Sequence, residues 1–280
     1  MTQHRRQSLG AALAISLAFI AIPASTAYAG PPAKGAKAAP APTEAPTVSK
    51  TITIQPAGLA WGIDRKKLGE VYDKVIDEDY KPKYRKVQPG PEMQSLDAEV
   101  AEKKAEFRRS VTEFNGVATG YDSTPLRPEY TYLNKEALMV SDRGGKVRYF
   151  FFIQGKLWKI ADVIKIGEKS KWGKAFVDAA ALAAKAYGIE GRVREADAAA
   201  GRPYTEVDWK DSATHVRAVD WGNDQVAFIF EDNATAANIA ALRPNKLQSQ
   251  TVIDPRVKDA GRKDPSAPPP KDDKKPGAKK

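Results

Sequence analysis

The chain of 280 residues contains no cysteine. This absence excludes disulfide bonds, lipid attachment at a cysteine, thiol catalysis, zinc–thiolate sites and iron–sulfur clusters. We therefore expect a protein that is not a lipoprotein and that takes its stability from a packed core.

Histidine is almost as scarce, since the chain has only His4 and His215. One imidazole outside the extreme N-terminus cannot build a multi-histidine metal site, although carboxylates could still hold Ca²⁺ or Mg²⁺. A Ser-His-Asp triad would have to use His215, which lies in an alternating, strand-like run. We predict no catalytic residue, no metal ligand and no cofactor.

Long apolar runs are missing except for one near the N-terminus. The 14 residues Leu9–Ile22 follow two arginines and precede the small residues Ala27 and Ala29. This order is typical of a secretory signal peptide over residues 1–29, and the run is short for a ~30 Å hydrocarbon core. The sequence predicts a periplasmic or extracellular protein whose mature form begins at Gly30. Export by the general secretory or the twin-arginine route stays open.

A large net positive charge is absent from the middle of the chain, although the whole chain carries a net charge of +10. Residues 51–253 hold 31 basic and 29 acidic side chains, whereas residues 254–280 alone carry +4. A nucleic-acid-binding domain would concentrate positive charge on a folded face, so we expect no specific nucleic-acid partner. The basic ends could associate with an anionic cell-wall or membrane surface.

Large apolar residues are rare in two proline-rich segments, residues 30–50 and 254–280. Such segments cannot bury a core, and we predict a disordered linker and a disordered basic tail. Between them we expect two units, residues 51–164 and residues 165–253.

Hydrophobic periodicity predicts the elements of these units. Helices are expected at residues 64–80, 92–114, 172–187 and 234–242, and strands at residues 130–133, 137–141, 146–153, 156–164, 204–209, 213–220 and 225–231. The fold class is therefore α+β: a helical hairpin, an antiparallel β-meander, a helix, a second antiparallel meander and a short C-terminal helix. The runs at residues 147–152 and 225–230 occupy matching places. Whether the units are a true repeat, and whether they share a sheet, stays open.

The strand at residues 146–153 carries three consecutive phenylalanines. Side chains alternate across a strand, so Phe151 must face away from Phe150 and Phe152. Either helices cover both faces of the sheet or part of one face awaits a partner. Other aromatic side chains could form a sugar or peptide platform or belong to the core. Arginines in the Gly/Arg-rich connection after residue 188 could hold an anion. The candidate binding residues are Phe151, Trp158, Arg192, Arg194, Trp209 and Trp221.

Acidic residues give two further candidates. The run Asp77–Asp79 lacks the spacing of a calcium loop and is typical of a solvated helix end. A hydrolytic carboxylate pair could form in the second meander, which contains the aspartates Asp208, Asp211, Asp220 and Asp224.

Our favoured interpretation is a non-enzymatic exported protein that binds an envelope protein or another envelope component. The alternatives are an exported Asp/Glu-dependent hydrolase and a structural or stress-protective envelope protein.

Overall fold

The computed structural model describes residues 44–245. The predicted signal peptide, residues 30–43 of the linker and the predicted tail 254–280 lie outside the described residues. The helices are α1 (Arg65–Tyr84), α2 (Pro91–Arg109), α3 (Phe176–Tyr187), α4 (Asn233–Ala237) and α5 (Ile239–Leu242), with a 3₁₀ turn at Arg127–Glu129. The strands are β1 (Thr112–Glu113), β2 (Glu136–Arg143), β3 (Lys146–Ile153), β4 (Lys156–Lys165), β5 (Arg192–Arg194), β6 (Glu206–Lys210), β7 (Thr214–Gly222) and β8 (Gln225–Asp232). The α+β class is confirmed.

All eight strands form one antiparallel sheet with the order β1-β2-β3-β4-β8-β7-β6-β5. The two meanders meet where β4 pairs with β8, so that Lys159 lies opposite Glu231 and Ile160 opposite Phe230. A rotation that exchanged the two meanders in this order would place β3 on β7 and β4 on β8. The strands with similar sequences, β3 and β8, therefore do not occupy equivalent positions in the sheet.

The helical hairpin begins at Asp64, whose carboxylate caps α1 by accepting a hydrogen bond from the Lys67 amide at 2.8 Å. Helix α1 runs through Pro82, beyond the expected end at residue 80, and ends at Tyr84. Its last turn is held against α2, since the Tyr84 hydroxyl donates to Asp97 at 2.6 Å. These contacts across the hairpin explain how the turn persists despite the backbone bond that proline cannot make.

The α1–α2 hairpin and α3 cover one face of the sheet, which we call the helical face, whereas Ile239 and Leu242 of α5 pack against the core on the other face. The hairpin lies over the first meander, where Tyr72, Phe107 and Phe150 form an aromatic cluster with ring centroids 4.4–6.0 Å apart. Helix α3 lies over the second meander and buries Ala179 and Ala183 against strand residues. Its small side chains allow a close approach of helix and sheet.

The opposite face is covered over the first meander by residues 114–134. The Phe114 and Tyr130 rings stack at 3.8 Å there, and both side chains are buried. The expected strand at residues 130–133 was wrong, because this segment leaves the 3₁₀ turn as irregular chain. Its aromatic residues contribute their rings to the core and do not pair with a strand. Aromatic content therefore indicated burial here and not a strand.

Residues 44–50, assigned to the disordered linker, pack on the fold. The Val48 amide donates to the Lys210 carbonyl at 2.8 Å, and the Lys210 amide donates to the Pro46 carbonyl at 3.0 Å. Val48 and Ile52 are buried in the core beneath α3. The linker prediction failed here because one or two apolar side chains suffice to anchor a segment that composition alone describes as polar.

Strand β3 is an inner strand between β2 and β4, as predicted. Phe150 and Phe152 join the core beneath the hairpin, and Phe151 joins the core on the opposite face. All three are buried. Both faces of the sheet are covered at this strand, so the idea of an exposed phenylalanine awaiting a partner was wrong.

Candidate functional site

Charged side chains occupy the non-helical face over the second meander, where residues two apart on a strand point the same way. The sign of their charge alternates from one strand to the next. They comprise Arg192 and Arg194 on β5, Glu206 and Asp208 on β6, His215 and Arg217 on β7, Glu231 on β8 and Lys159 on β4, with Glu129 added by the 3₁₀ turn. We call these nine residues the charged lattice.

The centre of the charged lattice is buried. The Lys159 Nζ lies 2.6 Å from Glu129 and 2.9 Å from Glu231. The Arg217 guanidinium reaches Glu129 at 2.8 Å, Glu206 at 3.0 Å and Glu231 at 3.2 Å. Each cation therefore bridges at least two carboxylates, and neither side chain is left unpaired in the low-dielectric interior.

The outer part of the charged lattice contains the two predicted arginines. Arg192 binds the buried Asp208 through two nitrogens, at 2.5 and 2.9 Å. Arg194 lies 2.8 Å from Glu206 and keeps 35% of its side chain exposed. The bidentate geometry fixes Arg192, whereas Arg194 remains accessible.

His215 lies between two carboxylates of the charged lattice. Its Nε2 is 3.0 Å from Asp208 and its Nδ1 is 3.3 Å from Glu231. Burial alone would lower the pKa of His215, but the bonds to both carboxylates outweigh burial and raise it above its usual value. Both ring nitrogens can donate only when the ring is protonated, so the lattice favours imidazolium.

The carboxylates titrate in the opposite direction. Burial would raise the pKa of Glu129, but the charges of Arg217 and Lys159 outweigh it and hold that pKa below its usual value. The same two cations hold the pKa of Glu231 well below its usual value against the opposing effect of burial. Both carboxylates are therefore ionised at neutral pH, and neither is suited to donate a proton in catalysis.

A cavity of about 310 Å³ opens above the lattice. The 3₁₀ turn and the loop at residues 200–204 contribute walls. Besides His215, four basic and three acidic side chains line it: Lys159, Arg194, Arg202, Arg217, Glu129, Glu206 and Glu231. The Arg202 Nε donates to the Glu195 carbonyl at 2.8 Å, and its ion pair with Asp197 is long, at 4.0 Å. The side chains of Arg194 and Arg202 are 35% and 22% exposed, more than those of Arg217 and Lys159, so they are the cations of the cavity most accessible to a ligand.

The structure separates the six predicted binding residues. Arg192 and Arg194 belong to the charged lattice. The four aromatic residues Phe151, Trp158, Trp209 and Trp221 are all buried and form no exposed platform. Trp209 lies in the core beneath α3, on the other side of the sheet. Trp158 remains close to the site, because the Lys159 Nζ lies 4.4 Å from its ring centroid.

Sequence reasoning missed Lys159, Arg217, Glu129, Glu206 and Glu231. A usable signal existed for Lys159, which interrupts an otherwise apolar strand, since a charge at such a position is rarely buried unless it is paired. Glu231 similarly follows an apolar run. Nothing local marks Glu129, which enters the lattice only through the long-range path of residues 114–134.

The other acidic candidates have local roles. Asp77 and Asp79 pair with Lys104 and Arg143, respectively. Asp211 holds the turn between β6 and β7 by accepting from the Thr214 amide at 2.6 Å, and Asp220 accepts from the Gly222 amide at 3.0 Å. Of the four aspartates of the second meander, the charged lattice includes only Asp208.

Within residues 44–245, no group of three or more His, Asp or Glu side chains is placed to hold a metal ion. No helix in the same range is long and apolar enough to cross a membrane. Comparison with protein-family models, with curated proteins and with solved structures finds no match to this chain. The charged lattice and its cavity therefore have to be interpreted from their own geometry.

Proposed function

We propose that this chain is an exported, non-enzymatic protein that binds another envelope component, a short peptide with free termini, in the charged cavity. The single observation that carries the proposal is the cavity itself, lined by both signs of charge above a buried, fully paired lattice. Export is supported by the residue pattern of the first 29 residues. The basic segment at residues 254–280 supports additional loose contact with anionic surfaces.

The chemistry of the ligand follows from the distribution of charge. Burying this many charges contributes little net stability, because desolvation offsets most of the attraction. A lattice of paired charges does provide fixed positions for a ligand that itself carries both signs. The partly exposed guanidinium groups of Arg194 and Arg202 suit a carboxylate, and the nearby carboxylates of Glu206 and Glu231 suit an ammonium group. A short peptide with free termini carries both groups.

Calorimetric titration of the protein with trialanine tests this proposal, with N-acetyl-trialanine amide as the blocked control. We expect saturable binding of trialanine and at least about tenfold weaker binding of the blocked peptide, because charge-assisted hydrogen bonds contribute roughly 1.5–3 kcal/mol. Arg202→Gln should weaken trialanine binding to a similar extent. Arg109→Gln is the matched control, since Arg109 is an exposed, ion-paired arginine on α2, and it should leave binding unchanged.

Three results would contradict the proposal. They are the absence of trialanine binding, equal affinity for the free and the blocked peptide, and unchanged affinity after Arg202→Gln.

Hydrolysis is the second candidate, and one observation favours it: Glu129, Glu206 and Glu231 converge in one cavity. The lowered pKa values of Glu129 and Glu231 weaken both as proton donors and as bases near neutral pH. Mass spectrometry of trialanine after incubation with an equimolar amount of protein separates the candidates. Intact peptide supports binding, and release of alanine or dialanine would favour the hydrolase.

A further inference from the structure

A second concave feature lies on the helical face, between α3 and the turn that joins β2 to β3. Its floor consists of Ile164, Phe228 and Phe230, and Phe230 packs against the cores of both meanders. Trp172 and Tyr187 line its sides, and the volume is about 430 Å³. This apolar groove is separated from the charged cavity by the thickness of the sheet.

Four aromatic side chains form the apolar part of the groove lining, namely Trp172, Tyr187, Phe228 and Phe230. The Trp172 and Phe228 ring centroids lie 4.9 Å apart, and the rings of Trp172, Tyr187 and Phe230 are half-buried. Burial raises the pKa of Tyr187 to about 12, so its hydroxyl stays neutral at physiological pH. Pockets that hold small ligands have this composition and a volume of roughly 300–1,000 Å³.

Cations surround the mouth of the apolar groove. Arg143, Lys146, Lys165 and Lys171 line it, against a single acid, Asp162. Asp162 is already neutralised, since Arg148 binds it at 2.5 and 2.6 Å and Lys146 lies 3.3 Å away.

The net charge at the groove mouth comes from its unpaired lysines. Within residues 44–245, neither Lys165 nor Lys171 forms an ion pair, so their charges are available to a ligand.

We propose that the apolar groove binds a small amphipathic acid, an apolar body that carries one carboxylate or comparable anion. The aromatic floor and sides take the apolar body, and Lys165 and Lys171 take the anion. Charge argues against the chain's own ends as occupants, because residues 30–43 and 254–280 are both net basic, like the groove mouth. The proposal is independent of peptide binding in the charged cavity.

The first test uses 8-anilinonaphthalene-1-sulfonate, an aromatic anion whose fluorescence rises in apolar sites. We expect saturable binding that is displaced by dodecanoate below its micelle concentration. Dodecanol, which has the same chain without the charge, should displace it at least tenfold less well, and dodecyltrimethylammonium should not displace it. Equal displacement by the neutral, cationic and anionic chains would overturn the proposal.

Paired variants locate the site. Ala186 is exposed at the groove wall on α3, so Ala186→Phe should fill the groove without disturbing the core and lower the affinity at least tenfold. Ala181→Phe is the steric control, at an exposed position of the same helix outside the groove lining, and should bind normally. Unchanged binding by Ala186→Phe would contradict the proposal.

Charge reversal gives a second, independent comparison. Lys171→Glu should weaken dodecanoate at least tenfold, whereas Lys185→Glu, an exposed lysine of α3 outside the groove lining, should have no effect. Near-ultraviolet circular dichroism of each variant checks that the tertiary structure is intact, because the probe also binds partly unfolded protein. Equal weakening by both substitutions would indicate nonspecific attraction and contradict the site.

Discussion

At the scale of single residues, His215 is the group whose ionisation reports on the charged lattice. Its ring is 21% exposed, lines the cavity and contacts one carboxylate from β6 and another from β8. Because only the imidazolium can donate to both, protonation joins three strands of the second meander. His215 therefore links the stability of this half of the sheet to pH.

We expect His215→Gln to reduce the free energy of unfolding more at pH 5.5 than at pH 9. The folded-state pKa of His215 is raised, so its stabilising contribution is fully present below the unfolded value of about 6.5. That contribution is lost as the pH rises through the folded value. Urea unfolding at the two pH values measures the difference. The acids with lowered pKa values do not interfere, because their contributions fall only at lower pH. An equal loss at both pH values would contradict the arrangement.

Phe151 and Phe152 test the burial of β3 on both faces. Their relative exposures are 1% and 0%, so Phe151→Ala and Phe152→Ala should each lower the free energy of unfolding by about 3–5 kcal/mol. Val193→Ala is the control, because Val193 is 51% exposed on the edge strand, and it should change the free energy by less than ~0.5 kcal/mol. A small effect of Phe151→Ala alone would indicate an uncovered face.

At the scale of elements, the segment at residues 44–50 behaves as part of the fold. It lies beside β6, exchanges two backbone hydrogen bonds with Lys210 and buries Ala45 and Val48. These contacts stabilise the end of β6 next to the turn that Asp211 holds. The Asp211 carboxylate also accepts a hydrogen bond from the Ile52 amide at 2.5 Å, so the same turn also holds the chain just after this segment.

Two truncated proteins test the role of this segment. Protein that begins at Thr51 should be about 3 kcal/mol less stable than protein that begins at Glu44, from one buried valine and two hydrogen bonds. For a domain of this size the Tm should fall by roughly 6–12 °C. Calorimetric melting of both proteins measures it. Equal Tm values would mean that the segment contributes nothing.

Elements with strong periodicity were predictable from the sequence. The apolar stripe of α1, the Asp64 cap, the β3 strand and the Gly188 end of α3 all follow from local rules. Gly188 ends α3 with a φ of 75°, a conformation that glycine adopts without strain. The expected helix at residues 234–242 was present only as two short helices that break at Asn238.

Features that depend on distant contacts could not be predicted. The path of residues 114–134 is set by the stacking of Phe114 on Tyr130 and by burial against β3 and β4, which no local pattern records. The charged lattice is a similar case, because its members come from six separate segments. Local signals existed for Arg192 and Arg194, through their place in an Arg/Gly-rich connection, and for Lys159 and Glu231, as charges within or beside apolar runs, but none of them showed that these residues meet.

At the scale of the described fold, the two faces of the sheet differ in the side chains that cover them. The helical face buries the apolar side chains of both meanders and leaves the apolar groove between α3 and the β2–β3 turn. On the other face, Val219, Trp221, Ala227 and Ile229 carry the apolar core past the β4–β8 pair onto β8 and β7, and paired charges replace it over the rest of the second meander. The sheet therefore presents an apolar site and a charged site on opposite sides.

The NMR signal of the His215 imidazole shows directly whether a peptide with free termini enters the charged cavity. In protein that begins at Gly30, His215 is the only histidine, so its ring protons are assigned without further labelling. During titration with trialanine at constant pH, we expect the His215 Hε1 resonance to shift saturably, with the dissociation constant that calorimetry gives. N-acetyl-trialanine amide should leave the resonance in place. Binding heat without a shift of His215, or an equal shift with the blocked peptide, would contradict the account.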